Sequence, residues 1–417
     1  MKTSPALPCG LLLGLLVAST HGALAAQQPP TTAVQPALAP YRLDLLRTAF
    51  DAASAFPLQP HGKNRSRAQE EVVVACFALA QPGLAVAFAR DIADWRRGVA
   101  YADYAWHVAK RGDEAGARRY LDLAEQIVVA ASKDENAQQW RADLVAIKMA
   151  RAWRLLGDAE RAATLVASVD ATSANAVDAS WAATEAERVD ALPPAAIADE
   201  LQAFDAGFAR LTLGRQQATL VQLVRLYGRA DLAAPLRAEV ARRVEHTPIA
   251  LPGAIHFDAL AGLAEADLAR GAAAAALPHI AAMRAELARL NLRAEDLLPV
   301  AARIAELTAR AGDRATAQAD LDAAKARFDR SHDDIVDIYR ARALRPLALV
   351  AHALGDRART IALLQQALDE GVANPNSRPR TDDLVATCVL MAKADIEPTP
   401  ELWTRIRTIA GGMGEPW

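Results

Sequence analysis

The chain has 417 residues with 52% apolar and 23% charged side chains, a composition that excludes a disordered protein. Its 50 acidic residues offset 47 basic ones to a net charge of −3, so the overall field does not favour nucleic acid or an anionic membrane. Two biases stand out: 99 residues are Ala, and 40 of the 47 basic residues are Arg.

Residues 1–25 read as a secretory signal peptide: Lys2, an apolar run from Leu11 to Ala18, and small residues at Ala23 and Ala25 before cleavage. The run is too short to span a bilayer, and Cys9 precedes it rather than lying at the cleavage point, so neither an anchor nor a lipoprotein is expected. The mature protein is expected to be exported, to the periplasm first and to the medium second, with no transmembrane segment. Residues 26–40 are rich in Pro and Gln and read as a flexible tether. Cys76 and Cys388 are the two cysteines beyond the signal. Both sit in apolar helical windows, where buried free thiols are expected and one long-range bridge is the alternative.

From Tyr41 onward, apolar residues recur at three- and four-residue spacing and no window alternates with the period of a strand, which predicts an all-α fold. Six turns carry Gly112, Gly157, Gly228, Gly271, Gly312 and Gly355, four of them as Gly-Asp. Seven residues before each lie Ala105, Ala150, Val221, Ala264, Ala305 and Ala348. Five after lie Ala117, Ala162, Ala233, Ala276, Ala317 and Thr360, so ten of the twelve are Ala. Nine after lie Leu121, Val166, Arg237, Ile280, Leu321 and Leu364. Small residues at fixed places let helix axes approach to about 8 Å.

This pattern resembles the tetratricopeptide repeat over about residues 70–370. The glycine spacings of 45, 71, 43, 41 and 43 exceed that family's 34, and its aromatic positions are mostly aliphatic here. The resemblance implies a right-handed solenoid of about eight antiparallel hairpins. Two lobes are expected, at 41–245 and 257–370, with linkers at 246–256 and 371–381. Capping helices follow at 381–410, started by Thr381 and Thr399, and a flexible tail at 411–417. Further turns are expected at Gln81–Gly83 and at Pro193 and Pro194, and kinks at Pro278 and Pro346.

The resemblance also implies that first-helix side chains line a concave groove: Trp106 and Ala109, Arg151 and Arg154, Gln222 and Arg225, Glu306 and Ala309, Leu349 and His352, with Arg342 and Arg345 on a compatible face. An Arg-biased stripe suits acidic ligand groups, although Arg paired with neighbouring acids is the simpler expectation. Trp95, Trp106, Trp140, Trp153 and Trp181 are expected mainly in the core, with Trp106 best placed to face a ligand.

His332, Asp333, Asp334 and Asp337 form HDDxxD, similar to the magnesium-diphosphate stretch of prenyl and terpene synthases. Ser331 as a helix cap, with Asp333 and Asp334 in the first turn, is the simpler account, so no metal is expected there. HExxH, GxSxG, the P-loop and paired CxxC are absent, and no cofactor is expected. The expected function is a non-catalytic scaffold or adaptor binding a protein or peptide. The alternatives are an envelope component handling polysaccharide or peptidoglycan, and a helical enzyme using the three aspartates.

Overall fold

A computed structural model describes residues 37–131, 138–169, 186, 188–247 and 253–417. The expected signal peptide, tether residues 26–36 and Trp181 lie outside the described residues. All regular structure among the described residues is helical, with no strand. The helices are α1 (Pro40–Ser54), α2 (Leu58–Ala78), α3 (Pro82–Ala89), α4 (Arg96–Ala109), α5 (Glu114–Ala131), α6 (Gln139–Leu155) and α7 (Ala159–Ala167). A 3-10 turn opened by Pro194 leads into α8 (Ile197–Gly207), followed by α9 (Leu213–Gly228) and α10 (Ala234–Glu245). The chain continues through α11 (Gly253–Ala269), α12 (Ala273–Leu287), α13 (Ala294–Arg310), α14 (Arg314–Ser331), α15 (Asp337–Ala353), α16 (Arg357–Ala373), α17 (Ser377–Ala394) and α18 (Pro400–Gly411).

Five of the six turn glycines, all but Gly228, stop a helix in the left-handed conformation, with φ between 70° and 97°. The Asp that follows starts the next helix: Asp158, Asp313 and Asp356 accept the backbone N–H of Arg161, Thr316 and Arg359. Asp113 accepts that of Gly116 in the same way. One dipeptide therefore ends one helix and caps the next. At these five turns all ten flanking small residues, nine Ala and Thr360, are at most 1% exposed.

Gly228 breaks the register. Its turn runs five residues to Ala234, Val221 is 57% exposed, and Arg237 spends its guanidinium on backbone carbonyls of Tyr227, Arg229 and Leu232. The fully buried aliphatic side chain lies three residues later, at Val240. A longer connection delays the helix, and the apolar stripe moves with it.

Several expected boundaries differ. Ser331 is the last residue of α14, not a cap, because that helix continues past the buried Phe328 to Ser331. Thr381 is fully buried inside α17 and bonds back to the Ser377 carbonyl, since the helix starts four residues earlier. Thr399 does cap α18. Pro278, Pro299 and Pro346 lie within α12, α13 and α15, which continue past them. Residues 411–417 are held in place: Ser377 N–H donates to the Pro416 carbonyl at 2.8 Å, and Trp417 meets Phe56 at 5.0 Å. Cys76 and Cys388 are buried free thiols, each pushed up to about 12 by desolvation.

Two apolar cores organise Leu38–Trp417. One spans residues 189–307 and crosses the 246–256 segment, so the boundary between cores does not fall there. The other joins residues 45–162 to residues 298–409. Helix α13 serves both, with Ile304 and Leu307 on one side and Leu298, Ala302 and Ala305 on the other. The second core exists because α1 packs on α17. Arg42 Nε donates to the Ala392 carbonyl at 2.6 Å and its guanidinium lies 3.3 Å from Asp395, while Tyr41 donates to Asp395 at 2.5 Å. The first helix and the helix before the last thus cover each other's apolar faces.

Two measurements probe this packing. An ideal Cβ on Gly262 of α11 falls 2.6 Å from Val224 Cγ1 of α9. Gly262→Ala is expected to cost about 1–3 kcal/mol in urea unfolding, with most of it recovered by Val224→Ala in the same chain. At the α2–α17 contact, Glu70, Glu71, Asp382 and Asp383 all have pKa values raised, with burial the largest cause. The folded state then holds protons that the unfolded chain has released. Their contribution to stability is complete below the ordinary values of 3.8 and 4.5 and is lost as pH rises through the folded values. Glu71→Gln is therefore expected to flatten the fall in urea midpoint as pH rises above the ordinary carboxylate range.

Candidate functional site

The first helices of successive hairpins pack side by side in the order α9, α11, α13, α15, α17, α2, α4 and α6. Along these helices basic side chains meet acids of neighbouring elements, three of the expected groove residues among them. Arg67 of α2 pairs with Asp382 of α17 at 3.4 Å, Arg96 with Glu70 of α2 at 2.7 Å, and Lys148 of α6 with Asp103 of α4 at 3.0 Å. Arg303 of α13 pairs with Glu265 of α11. Arg342 of α15 reaches Asp296 of α13 at 2.9 Å, and Arg345 reaches Asp383 of α17 at 2.7 Å. Arg225 of α9 pairs with Asp190.

A second ladder joins the second helices. Arg161 pairs with Glu125 at 3.1 Å, Arg243 with Asp205 at 2.7 Å, Arg284 with Asp320 at 2.5 Å, Arg359 with Asp322 at 2.6 Å and Arg405 with Asp369 at 2.7 Å. Partners are 36 to 38 residues apart, one hairpin along the chain. Each exposed pair contributes only about 0.2–1 kcal/mol, but together they select the register of neighbouring hairpins.

The structure divides the expected groove set. Arg342, Arg345 and Glu306 are committed to ion pairs, Glu306 with Arg303 and Arg310, and His352 is exposed at the end of α15. Gln222 is 8% exposed and lines a separate apolar cavity of about 190 Å³ with Phe204 and Phe208. Trp106 is half-buried, with Arg151 3.8 Å and Lys110 4.0 Å from its ring centroid, and Arg154 lies in the last turn of α6. Leu349 is partly buried against the core and Ala309 is 7% exposed.

Arg151 and Arg225 do come together, on a cavity of about 300 Å³ bounded by α2, α4, α6 and α9. Val99, Leu144 and Ile147 form its apolar wall, and Trp95, Lys148 and Glu70 complete its polar and aromatic edge. Burial pushes the Glu70 carboxyl up and Arg96 opposes that push. Lys148 and Arg225 are already paired with Asp103 and Asp190 and Arg151 stacks on Trp106, so the aliphatic wall is what the cavity offers a ligand, with polar groups at its edge. Trp95 and Lys148 were missed because no register position marks them. Glu265, one past Ala264, was available from the same spacing that selected Arg151.

His332 contacts Asp333 at 2.9 Å and Glu370 at 3.0 Å, which raise its pKa. Asp333 and Asp334 lie in the turn after α14 and Asp337 opens α15, so the DDxxD stretch is not on one helix face. No group of three or more metal-ligating side chains is found among the described residues. A buried polar cluster lies elsewhere: Tyr227 donates to the fully buried Asp267 at 2.9 Å, His279 Nε2 lies 3.2 Å from the same hydroxyl, and Arg270 pairs with Asp267. Burial of the phenol raises its pKa to about 12. These groups tie α9, α11 and α12 together, and nothing in their chemistry was legible as a motif.

No protein-family model, curated protein or solved structure matches this chain.

The two kinds of ion pair separate in mutation. Arg96 is 8% exposed and holds both Glu70 and Asp94 at 2.7 Å, so Arg96→Ala is expected to cost about 3 kcal/mol by leaving two carboxylates uncompensated. Arg225→Ala, at a half-exposed pair, is expected to cost about 0.2–1 kcal/mol on the same urea scale.

Proposed function

We propose that the chain is an exported scaffold or adaptor, a degenerate tetratricopeptide-like solenoid that holds a protein or peptide partner against its first helices. The cavity bounded by α2, α4, α6 and α9 carries the reading: Val99, Leu144 and Ile147 offer an apolar seat, and Lys148, Arg151 and Arg225 stand at its edge. Such an arrangement binds through a few anchors on a prebuilt surface, with little ordering to offset. The Lys2, Leu11–Ala18 and Ala23–Ala25 pattern supports a partner outside the cytoplasm, with the periplasm as the first site. The partner presents an apolar side chain to this wall and polar or acidic groups that share the edge with Asp103 and Asp190.

The test replaces Leu144 with a photo-crosslinking residue in the protein expressed in its own source, and Leu277, an exposed side chain on α12, as control. The expected outcome is a discrete protein adduct from position 144, absent from position 277 and lost with Arg151→Glu at unchanged helicity and melting. Equal labelling at both positions, or none at either, rejects the groove as a binding surface.

A further inference from the structure

We propose that a second cleft, between α4, α5 and α6, binds a small organic dianion with a planar apolar body. The cleft holds about 610 Å³, within the range of small-molecule sites. It lies across Trp95 from the groove cavity, both being lined by that residue, and the inference does not depend on the scaffold reading.

Two guanidiniums carry the argument. Arg97 and Arg141 both line the cleft, and neither side chain makes an ion pair or hydrogen bond. In each the Nε–H is buried with no acceptor. With no acid or hydrogen-bond partner within the chain, the two guanidiniums keep their terminal N–H groups for acceptors supplied from outside. The ladders commit Arg after Arg to a neighbouring acid, and Arg90, Arg119, Arg327 and Arg330, which make no ion pair, are exposed to solvent, whereas Arg97 and Arg141 are half-buried.

The acid at this cleft is already engaged. Asp94 holds the Arg96 guanidinium at 2.7 Å and its backbone N–H at 3.0 Å. Two other polar side chains are spent internally: Gln138 accepts from Trp140 Nε1 at 2.9 Å and Gln139 donates to Asp143 at 2.8 Å. The Arg141 guanidinium lies 5.6 Å from the Trp140 ring centroid, a contact that uses none of its N–H groups, so what faces the cleft without an acceptor is doubly positive. Apart from Gln126, the remaining walls are apolar or aromatic: Leu123, Ile127, Tyr101, and Trp95, whose ring meets Trp140 edge-on at 5.3 Å. Planar guanidiniums take carboxylate or phosphate oxygens in pairs, and an aromatic wall takes a flat apolar body.

The experiment titrates the full chain by calorimetry and tryptophan fluorescence with naphthalene-2,6-dicarboxylate, 1-naphthyl phosphate and the neutral naphthalene-2,6-dicarboxamide. At least one of the two anions is expected to bind saturably and change the tryptophan emission, at least about tenfold tighter than the diamide. The tighter of the two names the headgroup. Arg97→Gln and Arg141→Gln are each expected to weaken that anion about tenfold or more. Ala130→Trp, at an exposed position lining the cleft, should block it without touching a charge. Circular dichroism checks that each variant folds. The proposal fails if neither anion saturates, if the diamide binds as tightly, or if the two Gln variants and Ala130→Trp all bind like the parent.

Discussion

The fold depends on how closely its helices approach. At five of the six glycine turns the residue where one helix crosses the next is Ala or Thr and is at most 1% exposed, so backbones meet with almost no side chain between them. Close approach gains dispersion contacts along whole helices but buries little apolar area per residue, since Ala has only a methyl group to remove from water. A core built this way is thin. It needs other contacts to decide which hairpin sits beside which, and these are the ion pairs between residues about one hairpin apart. The closure of α1 on α17 follows from the same shortage, because each unpartnered end of such an array would expose a face that a single hairpin cannot bury.

Much of this architecture is legible in the chain. Period, glycine turns and small residues at fixed offsets are local signals, and the positions seven before and five after Gly112, Gly157, Gly271, Gly312 and Gly355 are all buried. The Gly228 turn misleads, since a connection lengthened by two residues leaves the glycine in place and moves the stripe to Val240. Thr381 misleads for a related reason. A Thr followed by two Asp has the composition of a helix start, yet Ser377 begins the helix and Thr381 is spent inside it on the carbonyl one turn back. Contact between α1 and α17 has no local signal at all, because Arg42 and Ala392 lie 350 positions apart.

The candidate site was legible in part. Arg151 and Arg225 were found by register and share a cavity, whereas Arg342 and Arg345, chosen by the same reasoning, are occupied by Asp296 and Asp383. Sequence spacing places a side chain on a face but says nothing of the acid delivered by the next hairpin. Gln222, selected from the misregistered Gly228, falls on a different cavity, as expected once the stripe is displaced.

The preponderance of Arg over Lys follows from the ladders. A pair spanning two hairpins has to keep its geometry while helices shift slightly, and a planar fork with five donors keeps at least one bond through such shifts, where an ammonium on a flexible stem loses its only contact. Arg237 shows the same property inside one hairpin, donating to three carbonyls around the lengthened turn. A residue used so consistently as a structural rivet becomes informative where it rivets nothing. Trp95 marks that boundary: on one side of it Lys148 and Arg225 answer to acids of the chain, and on the other Arg97 and Arg141 do not. The same composition thus serves assembly on one side of a single indole, and leaves two charges free for a ligand on the other.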